Sequence, residues 1–370
     1  TAIWPSPILA KMFDEALFSI FDIHDIEDKA VVVLNRKKPK QKKKVLVPYN
    51  PNNPKIKKMI KVVKDYNELI WRTFIDIPEL ETPQIIIPPK RKRKTNREVK
   101  VSITQHDKFV NRVFNNGSWK DGGRFSGGFW QRLDEDNRAK IWINDEPTNE
   151  IDFKAIHVIL AYASKGIEYY TSDDVPDPYS IVEVPASNTF QPDEKEQRTI
   201  IKQLFLVAFN ADTETKAFQA FVNMWDFKKH PFQGVFTHQY LERLLENIKL
   251  AHPQIADLFC TGVGIKLMNQ DSAIVEYIIK EFTKRNKPIL TVHDSFIVNL
   301  GNERLLESTM NEAFKAVTEI TNIRLKYNAN VTNKMIEEYQ HQDNNKFVEA
   351  IIDANISNGT KGYISKWKKH

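Results

Sequence analysis

Apolar residues recur at helical spacing in several long stretches of the chain. Over residues 55–74 the positions Ile56, Ile60, Val63, Leu69, Ile70 and Phe74 fall on one helical face. Residues 195–209, 264–285 and 303–316 read as amphipathic helices in the same way. Residues 155–164 are apolar almost throughout, the mark of a helix buried on all sides. Residues 12–21 also read as an apolar helix.

Shorter β-rich runs interrupt these helices. Residues 29–34, 139–143 and 149–153 read as strands, the last two joined by a turn over 144–148. Residues 289–292 and 296–300 are apolar arms separated by His293-Asp294-Ser295, which predicts a hairpin with its polar residues at the bend. Residues 324–330 read as an edge strand and the Pro-rich segment 78–89 as extended chain. Residues 122–128 read as a glycine-rich loop that carries Arg124. Helices and strands are thus both expected.

Charge divides the chain more sharply than hydrophobicity does. The formal net charge of +6 conceals a segment, 36–100, with a local net of +14. Seven of the nine residues 36–44 are basic, Lys42, Lys43 and Lys44 among them, and the run 90–94 is wholly basic and includes Arg91 and Arg93. The flanking parts, 1–35 and 101–370, each carry a net of −4. The organisation expected is a basic nucleic-acid-binding region over 1–100, a catalytic core over 101–345 and a peripheral tail over 346–370. Electrostatic attachment to a phosphate backbone is the natural use of the first part. A single cysteine, Cys260, excludes an intrachain disulfide. No apolar run approaches the ~20 residues of a membrane span, so a cytoplasmic setting without membrane contact is expected.

Candidate chemistry sits outside the basic segment. Asp152 ends a strand where the chain enters the apolar helix, and Asp294 stands at the hairpin bend. Carboxylates on two rigid elements suit Mg²⁺, which prefers hard oxygen ligands. Taken singly, each Asp could equally cap a helix or close a turn. Arg198 and Lys202 lie four residues apart on one helical face, where they could grip a triphosphate or simply face solvent. Gln270-Asp271-Ser272 places polar residues within an amphipathic helix. Gly122-Gly123-Arg124 sets flexible backbone beside a cation.

The order of these features resembles the palm and fingers of family A DNA polymerases and the related phage-type single-subunit RNA polymerases. Asp152-Phe153-Lys154-Ala155-Ile156-His157 resembles motif A. Arg198-Thr199-Ile200-Ile201-Lys202, 46 residues on, resembles the start of motif B, and Val292-His293-Asp294-Ser295-Phe296 resembles motif C. The resemblance covers about residues 117–300. It implies a right-hand palm, an antiparallel sheet with helices, beside helical fingers. It also implies template-directed nucleotidyl transfer with two Mg²⁺ ions, or Mn²⁺ in their place. Asp152, Asp294 and the main-chain carbonyl of Phe153 are the implied metal ligands. Arg198, Lys202, His157, Phe153, Leu206 and Asn210 are the implied nucleotide contacts, and His293 lies near the primer terminus. Arg124 and Gln270 are the implied contacts to a template-primer, with replication proteins as further partners. Asn210 stands where the family places a Tyr, which leaves Phe209 as the nearest ring. The bulk of His157 favours deoxynucleotides on steric grounds, whereas His-Asp-Ser-Phe is closer to the RNA polymerases. DNA synthesis is slightly favoured, with an RNA polymerase or primase-like enzyme as the alternative.

Two other classes compete. A metal phosphohydrolase would need further ligands, and His230, His238 and His252 lack ligand spacing. A non-catalytic nucleic-acid-binding replication accessory protein would need only the basic segment.

Overall fold

The structure, a computed structural model, describes residues 29–37, 44–87, 98–185, 190–225 and 234–328, with a few isolated positions before residue 16. The helix expected over 12–21, the basic positions Lys42, Lys43, Arg91 and Arg93, and the tail lie outside the described residues.

The chain forms a mixed α+β fold with mainly antiparallel sheets. A four-stranded sheet has the order β2 (Lys44–Leu46), β1 (Val32–Lys37), β6 (Val110–Phe114), β7 (Gly122–Gly127). Only its β1–β6 pair is parallel. A two-stranded ribbon joins β4 (Gln84–Ile87) to β5 (Val99–Ser102). The largest sheet runs β10 (Leu290–Val292), β11 (Ser295–Asn299), β9 (Glu146–Phe153), β8 (Trp142–Ile143), β3 (Ile75–Asp76), with β12 (Leu325–Asn328) also paired to β9. Strands before residue 100 therefore share sheets with strands after it: Val32 pairs with Arg112, and Ile75 with Ile143.

β9 lies between β11 on one side and β12 on the other. Its buried Ile151 and Phe153 face the core, where Phe153 meets Phe296 and Phe314 edge-on or tilted. Alternation then turns Glu150 and Asp152 to the opposite face. Among the described residues from Lys29 onward, eight α-helices surround the sheets: α1 (Pro54–Arg72), α2 (Glu135–Arg138), α3 (Ile156–Ala163), α4 (Glu194–Asn210), α5 (Glu214–Met224), α6 (His238–Ala251), α7 (Gly264–Lys284) and α8 (Glu303–Thr318). α7 is the central one, packing against α1, α3, α8 and β7. Among the described residues, no helix is long and apolar enough to cross a membrane.

Three expectations need correction. Residues 122–128 are not a loop. Gly122–Gly127 is strand β7, and its glycines let it approach its neighbours closely. A Cβ on Gly127 would lie 2.1 Å from the Phe109 carbonyl oxygen. The turn expected over 144–148 is only Asn144-Asp145. Both residues take positive φ (51° and 64°), as a two-residue hairpin with matching strand twist requires, and β9 begins at Glu146. Ser295 is not part of the hairpin bend but the first residue of β11, paired with Val292.

Candidate functional site

The site begins with strand pairing. Ser295 lies directly opposite Asp152 in the β9–β11 ladder, so the two-residue loop His293-Asp294 is carried to the end of β9. Asp152 and Asp294 are thereby brought together from positions 142 residues apart. His293 adopts φ 60°, a conformation that non-glycine residues take at a cost and that is met often at functional sites. Ala155, which follows β9 and precedes α3, has φ 52°, so the chain turns sharply into the helix that carries His157.

The electrostatics of this cluster are those of a cation site. Burial, and then the neighbouring Asp294, push the Asp152 carboxyl up to about 8, with Lys202 opposing. The Asp152 Oδ1 is buried with no hydrogen-bond partner. Like-charged carboxylates held together with a free oxygen are destabilised unless a cation or a proton joins them. Mg²⁺ fits this donor set. Among the described residues no group of three or more His, Cys, Asp or Glu side chains is gathered as a metal cage. Asp152 and Asp294 thus stand as a pair rather than as part of a larger ligand cage.

A second layer supports the pair. Glu150, two residues before Asp152 on the same strand face, is buried and accepts two hydrogen bonds from Arg138, at 2.9 and 3.0 Å. The Ser295 hydroxyl donates to the same carboxylate at 2.5 Å. Lys326 of β12 pairs in register with Asp152 and counters its charge.

α4 brings the cations. Its exposed positions include Arg198, Lys202, Leu206 and Asn210, spaced four apart as one stripe, while Ile200, Ile201, Leu204, Phe205, Val207, Ala208 and Phe209 are buried. Asp193 caps the helix through a reciprocal capping box with Glu196. Lys202 lies within electrostatic reach of Asp152. Arg198 is ion-paired to Asp177 at 3.0 Å and stacked over the Tyr179 ring. Asn210 donates to the Leu206 carbonyl and abuts Gly264. Phe209 is buried and stacked on Phe259, so it does not offer the free ring that Asn210 lacks.

Arg124 of β7 reaches the same centre, together with His157 and His293. Burial pushes His157 down to about 4, with Asp294 opposing and Arg124 and His293 contributing, and leaves its Nε2 without a partner. Burial and then Arg124 lower His293. Both shifts favour the neutral imidazole. Gln270 leaves its Oε1 buried and unpartnered. Lys44 lies apart from the cluster, on β2, and donates to Asn115. His252 is locked between the Tyr162 hydroxyl and the Pro178 carbonyl, and His238 lies against Phe218. Neither belongs to the site.

Sequence reasoning left Asp271, Glu150 and Ser295 without a role. Glu150 carried a signal, since it shares the strand face of Asp152 at i−2. Asp271 carried a weaker one, as a carboxylate amid the apolar positions of a long helix.

No protein-family model and no curated protein sequence matches the chain. Among solved structures, the chain is similar to the POL domain of Pol1 from M. smegmatis in complex with DNA primer-template and dNTP, at a TM-score of 0.39 and 11% sequence identity. The match covers 60% of this chain and 48% of that one, so the chain spans about half the length of that structure. At that level of overlap and identity the similarity says nothing of activity.

Proposed function

We propose that the chain adds nucleotides to a nucleic-acid 3′ end under the direction of a template. The observation that carries this reading is the meeting of Asp152 and Asp294 with Lys202 at one open, electrostatically strained carboxylate pair. The strands that hold the pair would form a polymerase palm, and α4 would belong to the fingers.

Asp152, Asp294 and the main-chain carbonyl of Phe153 would hold Mg²⁺. When bound, the ions supply charge stabilisation at the attacking and leaving oxygens. Lys202 and Arg198 meet the triphosphate from α4. Lys202, the nearer to Asp152, stabilises the charge that develops on the leaving pyrophosphate and is placed to give it a proton. His157, neutral and set at the entrance to α3, fills the space beside the incoming sugar and favours deoxynucleotides. Leu206 and Asn210 continue the exposed stripe along the nucleotide. His293 faces the strand end, and Arg124 and Gln270 meet the template-primer. The basic segment, through Lys42, Lys43, Lys44, Arg91 and Arg93, adds sequence-independent phosphate contacts that weaken as salt rises.

Primer extension on a defined DNA template, with dNTPs or NTPs in Mg²⁺, tests the reading beside Asp152→Ala and Asp294→Ala. Incorporation by the wild type and its loss, by ~10³-fold or more, in both variants is expected, since each removes charge stabilisation made in the transition state. Absence of incorporation with either nucleotide set refutes it. Preference between the two sets decides the product.

A further inference from the structure

Asp271 is a costly residue with no evident structural return. It sits on α7 at 1% exposure, and both carboxylate oxygens are buried without a hydrogen-bond partner. Burying a carboxylate without hydrogen bonds opposes folding. Its nearest cation is Arg124, 3.7 Å away, beyond hydrogen-bond distance, and the Arg124 Nε is itself buried and unpartnered.

Nor does α7 need Asp271 to hold β7. Asn269 donates to the carbonyls of Trp119 and Gly122, at 3.2 and 3.0 Å. Glu276 accepts from Arg112 at 2.6 Å, and Arg112 donates onward to the Gly123 carbonyl at 3.2 Å. Arg112 is also stacked between the Phe114 and Phe125 rings. The strand backbone on the N-terminal side of Arg124 is thus fixed by two other residues of the same helix. The Asp271 carboxylate is left beside the Arg124 side chain.

That side chain is within electrostatic reach of His157 and His293, which also feel Asp294. A guanidinium carries five N–H donors in a planar fork. With one carboxylate at 3.7 Å and its Nε without a partner, the fork has donors left unmet.

We propose that Asp271 is a positioning residue. It holds the Arg124 guanidinium towards the 3′ end of a recessed nucleic-acid duplex and away from the Asp152–Asp294 pair, whose charge an unrestrained arginine would neutralise. This rests on the nucleotidyl-transfer reading for the identity of the ligand. The coupling between the two side chains is read from binding and does not need turnover.

The test uses the full chain and four proteins: wild type, Asp271→Asn, Arg124→Ala and the double variant. The affinity for a DNA duplex with a recessed 3′ end is measured by fluorescence anisotropy, beside thermal midpoints. Arg124→Ala weakens duplex binding by ~10-fold or more, the size of a lost bidentate contact. Asp271→Asn weakens it by ~5-fold in the wild-type background and by ~1-fold in the Arg124→Ala background, the signature of residues that act as a unit. The thermal midpoint of Asp271→Asn stays level or rises, because an isosteric amide replaces a buried, unsatisfied charge. Equal losses of affinity in both backgrounds overturn the proposal. So does a lowered midpoint with unchanged affinity, which is what a purely structural residue gives. A wild type that binds duplex but extends no primer counts against the nucleotidyl-transfer reading alone.

Discussion

On the proposed reading, chelation exposes the repulsion built into the carboxylate pair, and pH grades it. In chelator, the folded chain holds a proton on Asp152 up to about pH 8, because burial and then Asp294 raise it from 3.8. The unfolded chain releases that proton near pH 4. The folded state therefore binds more protons between those values, and stability falls as pH rises through the window. Asp271, pushed up to about 7 by burial and then by Asp294, adds to the same slope. A shift of about four units at roughly 1.4 kcal/mol each sets a ceiling of ~5–6 kcal/mol for Asp152. Partial exposure and relaxation reduce this to ~2–3 kcal/mol. At ~2 °C per kcal/mol for a chain of this size, the metal-free midpoint drops by about 4–6 °C from pH 5 to pH 8. Mg²⁺ at pH 8 restores it. Asp294→Asn shows a shallower slope and no Mg²⁺ response, whereas its slope does not vanish, because burial is the larger cause. Thermal melts monitored by circular dichroism, with chelator or Mg²⁺, read all of this. A metal-free midpoint that is flat from pH 5 to pH 8, or an equal Mg²⁺ gain in wild type and variant, refutes the reasoning.

On the proposed role of Lys202 at the leaving group, Lys202→Ala lowers kcat by ~10²-fold or more with a small change in nucleotide KM. Arg198→Ala chiefly raises KM, and single-nucleotide kinetics separate the two. Glu276→Gln leaves the buried Arg112 guanidinium uncompensated and destabilises the fold by ~2–4 kcal/mol in urea titration. Ala155→Gly relieves a left-handed residue worth ~1–2 kcal/mol and adds ~0.5–1 kcal/mol of unfolded-chain entropy. The net is a gain of up to ~1 kcal/mol, seen in the same titration.

The elements that carry chemistry were legible in the sequence because their patterns are local. The periodicity of α4, α7 and α8 and the apolar arms of the 289–300 hairpin place those elements within one or two residues of where they lie. β7 was not legible, because three of its six residues are glycine and strand propensity gives no reason to pair them. Its justification is the closeness of Phe109 and Phe114, which is tertiary. Asp152, Asp294, Arg198 and Lys202 stood out through spacing. Asp271 did not, since its meaning depends on Arg124, 147 residues earlier in the chain. The fate of Phe209 was hidden for the same reason: only packing reveals that Phe259 occupies its face.

The setting of β9 has a consequence for errors in assembly. Strands place alternate residues on opposite faces, so a slip of one position would carry Asp152 inward and set Ile151 or Phe153 where Asp152 now stands. β9 is guarded against this on both edges and at its start. β11 pairs with it over five positions, β12 over four, and Asn299 ties the Ile143 carbonyl and Glu146 at the opening of the strand. A misregistered chain would lose this set of pairings and turn Ile151 and Phe153 out of the core they fill. Folding thus discriminates steeply between one alignment and its neighbours, and a molecule that reaches its folded state has its carboxylates on the right face.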